Sequence, residues 1–468
     1  MKFLDRFPLQ LSFIFILAGI FWIIPLFTIG TFDDGLFYSS ISRNLVTEPG
    51  QSIWVLKVSN ALDPAFHGHP PMAFWLESIF FRIFGDQIWI EKVYSLIMLL
   101  LSLLLFYKVQ QKLSGQQKGQ NYIFLLLMIP LMSWAFANNM LENTLIPFIL
   151  SAIFFYLKAQ EHNSKKYFYL SLVSLLIFGG FLVKGPVALF LWMSPLAYYF
   201  YDIRKKITPI LKDSIFIISL SILFFLILYA VSLDAKDFFD KYFDLQIKGS
   251  LQTQGNFQNR FTIVKAFLEE TIPLHVFLII VWLSTRNKIS SFRFFNSPST
   301  FVFLLFLFSS FPFLLTTKQF GHYLLPAYFF YISYWLLVME ASIDVFFKMI
   351  FNPFLTRIFK TLSIGFLFLA IFLSVRMYGK HSRHFELFSE LDKAAVIVGK
   401  HKEILIDNEV YKDWKIHAYF YRYHYIDLST VYKEQKFGLS YDLSKQELRY
   451  SYEPVSAKFK TFKLLKHK

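Results

Sequence analysis

Long apolar blocks separated by short charged loops are the feature that most constrains this chain. Blocks of roughly 18 or more apolar residues recur up to about residue 378, and that length is what a helix needs to cross a bilayer. Phenylalanine alone supplies 60 of the 468 residues, and the mean hydropathy is +0.46. A soluble domain would spread its apolar residues in periodic patterns instead. The sequence therefore predicts an all-α polytopic membrane protein.

About eleven membrane-spanning helices are predicted, with thirteen as the upper bound because Pro and Gly interrupt several blocks. Their approximate bounds are 9–29, 87–107, 121–137, 140–157, 167–183, 185–201, 214–233, 266–284, 299–316, 322–339 and 361–378. The N-terminal block is too long for the apolar region of a signal peptide and is not followed by a small-residue cleavage site, so it is expected to be retained as the first span.

The loops alternate in charge. Lys and Arg are concentrated in one set of loops, such as Lys165–Lys166, while the opposite set carries acids such as Asp33, Asp63 and Asp237. By the positive-inside rule, the basic loops and the N-terminus are predicted to be cytoplasmic. The first outer loop (30–86), the loop at 234–265 and the C-terminus are then predicted to lie on the outer face of the membrane.

The net charge of +15 follows from these basic loops. Because the cations do not gather on one folded face, they do not indicate a nucleic-acid partner. The chain contains no Cys, which excludes disulfides, thiolate nucleophiles and Cys-based metal sites.

Two regions are predicted, a transmembrane domain (1–378) and a small mixed α/β extramembrane domain (379–468) that is charged and Tyr-rich. Within the first outer loop, two interfacial helices are expected. The first follows Asp33-Asp34, where Asp would serve as an N-terminal cap. The second begins after Pro70-Pro71, ends at Gly85 and is rich in Phe and Trp.

Asp33 and Asp34 leave the first span at the membrane surface. A carboxylate there is suited to act as general base on an acceptor hydroxyl or to hold a divalent cation. The alternative is a helix cap at a membrane boundary. His67-Gly68-His69-Pro-Pro is the second candidate, a rigid loop for a phosphate or a metal, or alternatively an interfacial turn with solvated imidazoles. A third zinc ligand of the usual kind is not evident in the nearby sequence.

Glu142 lies near the outer end of the fourth span, and an ionisable residue in an apolar segment is a functional candidate. Its alternative role is pairing with a neighbouring Asn outside the hydrocarbon. Lys184 sits at the outer junction of two spans beside Gly-Pro, on the acid-rich side. That position favours an anion such as a phosphate, although a snorkelling lysine is the alternative.

Further cations lie in later outer segments. Lys248 and Arg260 in the loop at 234–265 are candidate phosphate partners, unless that loop is simply flexible. Lys318, His322 and Tyr323 lie near the outer end of the tenth span, where Lys and Tyr also serve as interfacial anchors. Under the predicted topology all these candidates share one membrane face.

At these residues the chain resembles a known family. Asp33-Asp34-Gly35 followed by ISRNL is similar to the acidic first-loop motif of membrane-embedded C-type glycosyltransferases (GT-C), which is usually Asp-Glu followed by a helix ending in Ile-Ala/Ser-Arg. HGHPPMAFWLESIFFRIFGD, LVKGPVALF and KQFGHYLLPAY resemble later motifs of the aminoarabinose transferases of lipid A and their kin. The resemblance covers about residues 9–340 and leaves out the tail. Where the aminoarabinose enzymes carry Glu-Lys-Pro-Pro, this chain has Gly68-His69-Pro70-Pro71.

The resemblance, to the bacterial branch related to protein O-mannosyltransferases, implies the GT-C fold and inverting transfer of a sugar from a polyprenyl-phosphate donor. The implied location is the bacterial inner membrane, with the active site and the C-terminus on the periplasmic face. The acceptor would be a lipid, a glycan or a protein. Asp33 would be the motif aspartate and candidate base, Asp34 would take the Glu position, and Glu142 would be a second acid. Lys184 would bind donor phosphate.

The remaining candidates would assist these groups. Lys248, Arg260 and Lys318 would help to bind phosphate, and Arg43, His67, His69, His322 and Tyr323 would position donor or acceptor. No cofactor is expected to be required, although a divalent metal is an option at Asp33, His69 and Glu142. The competing hypotheses are a transporter or flippase of lipid-linked sugars, which favours mid-bilayer charges and two-half symmetry, and a non-catalytic accessory subunit.

Overall fold

The computed structural model describes residues 9–48, 50, 52–59, 61, 65–115, 119–203, 206–248, 261–285, 297–314, 316, 319–350, 353–441 and 451–468. Within them, a bundle of helices precedes a small mixed sheet. The helices of the bundle are α1 (Leu9–Ala18), α2 (Asp33–Thr47), α3 (Met72–Phe84), α4 (Ile90–Ser114), α5 (Gly119–Leu127), α6 (Pro130–Ala137), α7 (Leu141–Glu161), α8 (Lys166–Lys184), α9 (Ser194–Tyr201), α10 (Ile207–Val231), α11 (Leu233–Tyr242), α12 (Thr262–Thr285), α13 (Pro298–Ser310), α14 (Leu325–Ile350) and α15 (Pro353–Arg376). Short 3₁₀ or π turns adjoin several of them, at Gly19–Ile23, Asn163–Lys165, Gly185–Met193, Phe243–Lys248, Phe311–Leu314 and Gly321–Leu324.

The predicted apolar blocks are helical wherever the structure describes them. Among the described residues, seven helical segments are long and apolar enough to cross a membrane, and Leu9–Ile23 and Pro298–Leu314 are shorter apolar helices. The third predicted span is broken into α5 and α6, with Pro130 at the first turn of α6. The fifth and sixth predicted spans form the continuous helical segment Asn163–Tyr201. The chain is a multi-pass membrane protein, as predicted.

The two helices predicted in the first outer loop are α2 and α3. In α2, Leu36 and Ile41 are fully buried, as their spacing predicts. In α3, Pro71 is the N-cap residue, and Gly85 ends the helix with a φ of +72°, a conformation that glycine adopts without strain. Phe74 is buried whereas Ile83 is 67% exposed, so α3 packs one face inward and presents an apolar face outward. That pattern fits an interfacial helix.

The C-terminal region is α/β, as predicted. Its helices are α16 (Phe385–Val398), α17 (Asn408–Lys412) and α18 (Trp414–Tyr419), the last continued by a π turn at Phe420–His424. Its strands are β1 (Glu403–Ile406), β2 (Asp427–Ser429), β3 (Phe437–Ser440), β4 (Tyr452–Pro454) and β5 (Lys463–His467). The sheet order is β2-β1-β3-β5-β4. β1 pairs in parallel with β2 and β3, and β5 pairs antiparallel with β3 and β4.

This region is joined to the start of the first outer loop. The backbone N–H of Ile29 donates to the carbonyl of Lys380 at 2.8 Å, and the N–H of Ser382 donates to the carbonyl of Ile29 at 2.9 Å. Buried residues of α2 and of α16 and α18 belong to one continuous apolar core. The C-terminal region therefore holds the loop that carries the acid pair.

Candidate functional site

The acid pair opens helix α2, but neither Asp is its cap. Phe32 is the N-cap residue, and Asp33 and Asp34 occupy the first helical turn. The cap alternative is therefore wrong, since the N-cap residue is Phe32, which makes no side-chain cap hydrogen bond. Separately, the Asn138 side chain accepts a 2.7 Å hydrogen bond from the Phe32 N–H. Carboxylates in a first turn are still stabilised by the helix dipole. The N-terminus of α2 thus presents both carboxylates without using them as caps.

Both carboxylates are partly buried, and burial raises the pKa of each. For Asp33, the positive charges of Arg383 and His384 oppose that rise in pKa. For Asp34, the negative charge of Glu142 adds to it. Asp33 Oδ1 is buried without a hydrogen-bond partner among the described residues. A carboxylate with a raised pKa and an open oxygen is suited to accept a proton.

Gly35, the third residue of the motif, is required by close packing. A Cβ at this position would lie 2.1 Å from the carbonyl oxygen of Asn138. The absence of a side chain lets α2 lie directly against the turn that precedes α7. That contact brings the acid pair towards the N-terminus of α7, where Glu142 lies.

Glu142 and Lys184 form a buried ion pair. Glu142 is in the first turn of α7, Lys184 is the last residue of α8, and their side chains are 1% and 8% exposed. Glu142 Oε2 is buried and has no hydrogen-bond partner among the described residues. Lys184 Nζ also lies 4.6 Å from the ring centre of Tyr323. The cation therefore sits between a carboxylate and an aromatic face, and one carboxylate oxygen remains available.

The backbone after Lys184 is fixed by Gly185. Its φ is +63°, and a Cβ there would lie 2.0 Å from the Tyr242 hydroxyl. Only glycine fits both the left-handed conformation and this close contact. The Lys-Gly-Pro pattern seen in the sequence is therefore the turn that ends α8 and sets the position of the Lys184 ammonium.

Acid and cation belong to one electrostatic group. Lys184 and Glu142 both act on the pKa of Asp34, in opposite directions. Tyr323 contacts Lys184, and the His322 ring packs edge-on to the Tyr323 ring, with centroids 4.8 Å apart. We call Asp33, Asp34, Glu142, Lys184 and Tyr323 the outer cluster.

The two loop histidines lie differently. His67 is buried against Phe238, with ring centroids 5.2 Å apart, and its Nδ1 has no hydrogen-bond partner among the described residues. His69 packs edge-on to Tyr38, with ring centroids 6.0 Å apart. Burial raises the pKa of Tyr38, and the negative charges of Asp34 and Glu142 add to that rise, so Tyr38 lies near the outer cluster as well as His69.

Arg43 points away from the acid pair, towards the C-terminal region. Its Nη1 donates to the carbonyls of Tyr421 and Arg422 at 2.6 and 2.8 Å. Burial and the neighbouring Arg422 lower the pKa of Arg43 to about 10. The structure therefore places Arg43 at the contact between α2 and the C-terminal region rather than in the outer cluster.

Three predicted phosphate partners cannot be placed. Arg260 and Lys318 lie outside the described residues, and of Lys248 only the backbone, at the end of a π turn, is described. Their predicted roles stay predictions.

Glu77 is a buried acid that the sequence analysis missed. It lies on α3, and its carboxylate accepts hydrogen bonds from Ser39 and Ser42 at 2.7 Å and from Asn139 at 2.8 Å. Burial raises its pKa to about 7, although the two serine hydroxyls oppose that rise. The sequence signal that could have identified Glu77 is that it is the single acid within the apolar run MAFWLESIFFRIF. Glu77 ties α3 to α2 and to the turn beside Asn138.

The metal options receive no support from geometry. In the part of the chain that the structure describes, no group of three or more His, Cys, Asp or Glu side chains is arranged to hold a metal ion. The expectation that no metal is required, and the option of a metal at Asp33, His69 and Glu142, therefore both stay predictions.

Comparisons with known proteins agree with this architecture. Residues 68–233 match the family model described as dolichyl-phosphate-mannose-protein mannosyltransferase. This segment includes His69, Glu142 and Lys184, and begins after the acid pair. No curated protein matches the sequence.

Two solved structures of ArnT from Cupriavidus metallidurans share the fold. The apo form has a TM-score of 0.63 at 13% identity and covers 97% of each chain. The form bound to undecaprenyl phosphate has a TM-score of 0.66 at 14% identity and covers 98% of this chain and 97% of ArnT. The similarity includes the C-terminal region, which the sequence resemblance had left out. The predicted resemblance is confirmed: this multi-pass membrane protein has the GT-C fold, and its central segment matches the mannosyltransferase family model.

Proposed function

We propose that this protein is a membrane glycosyltransferase of the GT-C type. It would transfer a sugar from a polyprenyl-phosphate-linked donor to a lipid, glycan or protein acceptor, with inversion, on the periplasmic face. The observation that carries this proposal is the outer cluster, where an acid pair with raised pKa values lies beside a buried lysine. The matched family model and the fold shared with ArnT support the same reaction class.

The acceptor side of the reaction is assigned to Asp33. Its Oδ1 is buried and without a partner among the described residues, and burial raises the pKa of the carboxyl group. Asp33 would accept the proton of the acceptor hydroxyl as that oxygen attacks the anomeric carbon. Asp34, whose pKa is raised by burial and by Glu142, would orient the acceptor beside it.

The donor side is assigned to Lys184. As the new bond to the anomeric carbon forms, the bond from that carbon to the phosphate oxygen breaks, and the phosphate keeps the electron pair. A positioned ammonium stabilises that developing charge. In the structure Lys184 is held by Glu142, which would also keep the lysine in place between turnovers. His322 and Tyr323, which line the same side, would position the sugar.

The reaction can be written without a metal, because a lipid phosphate is already a fair leaving group and Lys184 supplies a positive charge. Addition of EDTA is therefore expected to leave transfer intact. A loss of activity that Mg²⁺ or Mn²⁺ restores would instead place a cation among the carboxylates of the outer cluster.

The direct test uses cells that lack the gene and carry either the wild-type chain or Asp33→Asn. Mass spectrometry of surface glycans and glycolipids should show a sugar-sized mass increase with the wild-type chain and none with Asp33→Asn. Asp237→Asn, which changes an exposed acid paired with Lys241 on α11, is the matched control and should behave as wild type. Membrane levels of all three proteins are measured in parallel. A normal mass increase with Asp33→Asn would reject the proposal.

A further inference from the structure

A polar cavity lies beside α2, away from the outer cluster. It has a volume of about 220 Å³ and is bounded by the C-terminal half of α2, the segment at 58–59 and the C-terminal region. Arg43 follows Asp33 by ten residues in the same helix, which corresponds to roughly 15 Å along the helix axis. Thr47 and His401 line the cavity and are exposed, so it opens to solvent. The cavity and the acid pair are therefore held at a fixed separation by one rigid element.

The floor of this cavity contains a buried cation without a paired acid. Arg43 is 2% exposed and forms no ion pair within the described part of the chain. Its donors go to the carbonyls of Tyr421 and Arg422 and to the side-chain oxygen of Asn44, and its guanidinium lies 3.8 Å from the centre of the Tyr425 ring. Four of its five N–H groups are used in these bonds. One N–H remains for a ligand in the cavity.

The other lining groups carry opposite chemistry. Glu48, which lies 3.8 Å from the Lys57 ammonium, and Asp427 carry carboxylates, which only accept hydrogen bonds when ionised. Ser59 and Thr47 carry hydroxyls. An anion would meet both carboxylates, and a cation would meet Arg43. A neutral polyhydroxylated ligand suits both, because each hydroxyl donates to a carboxylate or accepts from Arg43.

We propose that this cavity binds a carbohydrate unit of the acceptor, at a distance from the hydroxyl that reacts at Asp33. The proposal rests on the glycosyltransferase function proposed above. Binding energy from such a remote unit helps to hold the reacting hydroxyl in place. It would also make the acceptor a glycan or glycolipid rather than a bare lipid or an unglycosylated protein.

The test is saturation-transfer NMR on the full-length protein in nanodiscs, with the methyl glycosides of mannose, glucose, galactose and N-acetylglucosamine as probes. Thr47→Trp fills the mouth of the cavity without removing an outer-cluster residue. Val396→Trp, at a position on α16 that is 85% exposed and does not line the cavity, is the matched control. At least one glycoside should bind wild type and Val396→Trp, and bind Thr47→Trp about tenfold more weakly, which corresponds to about 1.4 kcal/mol.

Asp33→Asn separates this proposal from the proposed function. That variant should bind the same glycoside as tightly as wild type while failing to transfer sugar. If it transferred sugar normally but Thr47→Trp still lost binding, the transferase mechanism would fail and the carbohydrate site would stand. If no glycoside bound, or if binding were equal in Thr47→Trp and Val396→Trp, the carbohydrate site would be rejected.

Discussion

Two buried charge clusters in this protein differ in how completely their atoms are paired. In the Arg422 cluster, made of Arg422, Asp86, Glu91, Tyr423 and Tyr425, every carboxylate oxygen accepts a hydrogen bond. Asp86 accepts from Arg422 and Tyr425, both at 2.6 Å. Glu91 accepts from Arg422 at 2.8 Å and from Tyr423 at 2.7 Å. In the outer cluster, Asp33 Oδ1 and Glu142 Oε2 are buried without partners among the described residues.

The difference separates a structural role from a chemical one. A buried charge is tolerated when its partners compensate the loss of water, as in the Arg422 cluster. That cluster joins the C-terminal region to the end of the first outer loop and to α4. A buried carboxylate oxygen without a partner has a cost in free energy unless a ligand supplies the missing contact. We therefore expect the first cluster to control stability and the outer cluster to control activity.

The largest effect is expected from Arg422→Ala. Removing this side chain leaves Glu91 fully buried without its cation and takes the same cation from the partly exposed Asp86. Breaking a buried pair in this way costs roughly 3–5 kcal/mol. Limited proteolysis of the detergent-solubilised protein should show faster cleavage within 380–468, and the apparent melting temperature should fall. Arg376→Ala, at an exposed position at the end of α15, is the control and should change neither. Equal stability of the two variants would contradict the structural role of the cluster.

Glu77 offers an intermediate case, because its carboxylate is paired yet its pKa is raised to about 7. As the pH rises, the Glu77 carboxyl group loses its proton near pH 4.5 in the unfolded chain but only near pH 7 in the folded chain. The folded state therefore holds more protons between those values, and stability falls as pH rises from about 4.5 to 7, by roughly 3 kcal/mol. Glu77→Gln should remove that part of the pH dependence.

Melting temperature measured against pH in wild type and Glu77→Gln provides the check. Glu386→Gln, at an exposed acid in the first turn of α16, should retain the wild-type profile. If the difference between wild type and Glu77→Gln is constant from pH 4.5 to 7, the carboxyl group titrates at its ordinary pKa and the predicted coupling is wrong.

A smaller loss is expected from Gly35→Ala. The added Cβ would lie 2.1 Å from the Asn138 carbonyl, so α2 must move away from the turn before α7. Overpacking of this kind typically costs about 1–3 kcal/mol. Gly365→Ala is the matched control, because a Cβ added at that helical glycine would have no heavy atom within 4 Å. Reduced transfer at equal expression for Gly35→Ala, but not for Gly365→Ala, would show that the position of the acid pair matters.

Much of the fold could be predicted from local patterns. The apolar blocks predicted the spanning helices because length and hydropathy are local properties. Pro71 and Gly85 predicted the ends of α3 for the same reason. The charge alternation predicted that the candidate residues share the outer face, and that orientation stays a prediction. The acid pair, Glu142 and Lys184 were chosen individually because each is polar beside an apolar segment. There was one reason in the sequence to expect these residues to lie together, which was their predicted position on the same membrane face.

The Arg422 cluster could not be predicted in this way. Arg422 and Asp86 are separated by 336 positions, and no local pattern pairs them. Glu77 was overlooked because its helix reads as interfacial, where an acid is expected to face water. The cap expected at Asp33 fails because the helix begins one residue earlier than a cap there requires, with Phe32 as the N-cap residue, and local patterns do not fix a helix end to one residue.

The central claim is that Lys184 of the outer cluster binds the phosphate of the lipid-linked donor. The direct measurement is a titration of undecaprenyl phosphate into purified wild type, Lys184→Met and Lys166→Met. The rise in melting temperature of each protein is followed against ligand concentration. Lys166 pairs with Asp213 at 2.8 Å at the opposite end of α8 and serves as the control. We expect Lys184→Met to require about tenfold more ligand for half-maximal stabilisation, while Lys166→Met matches wild type. Equal titrations of wild type and Lys184→Met would contradict the claim.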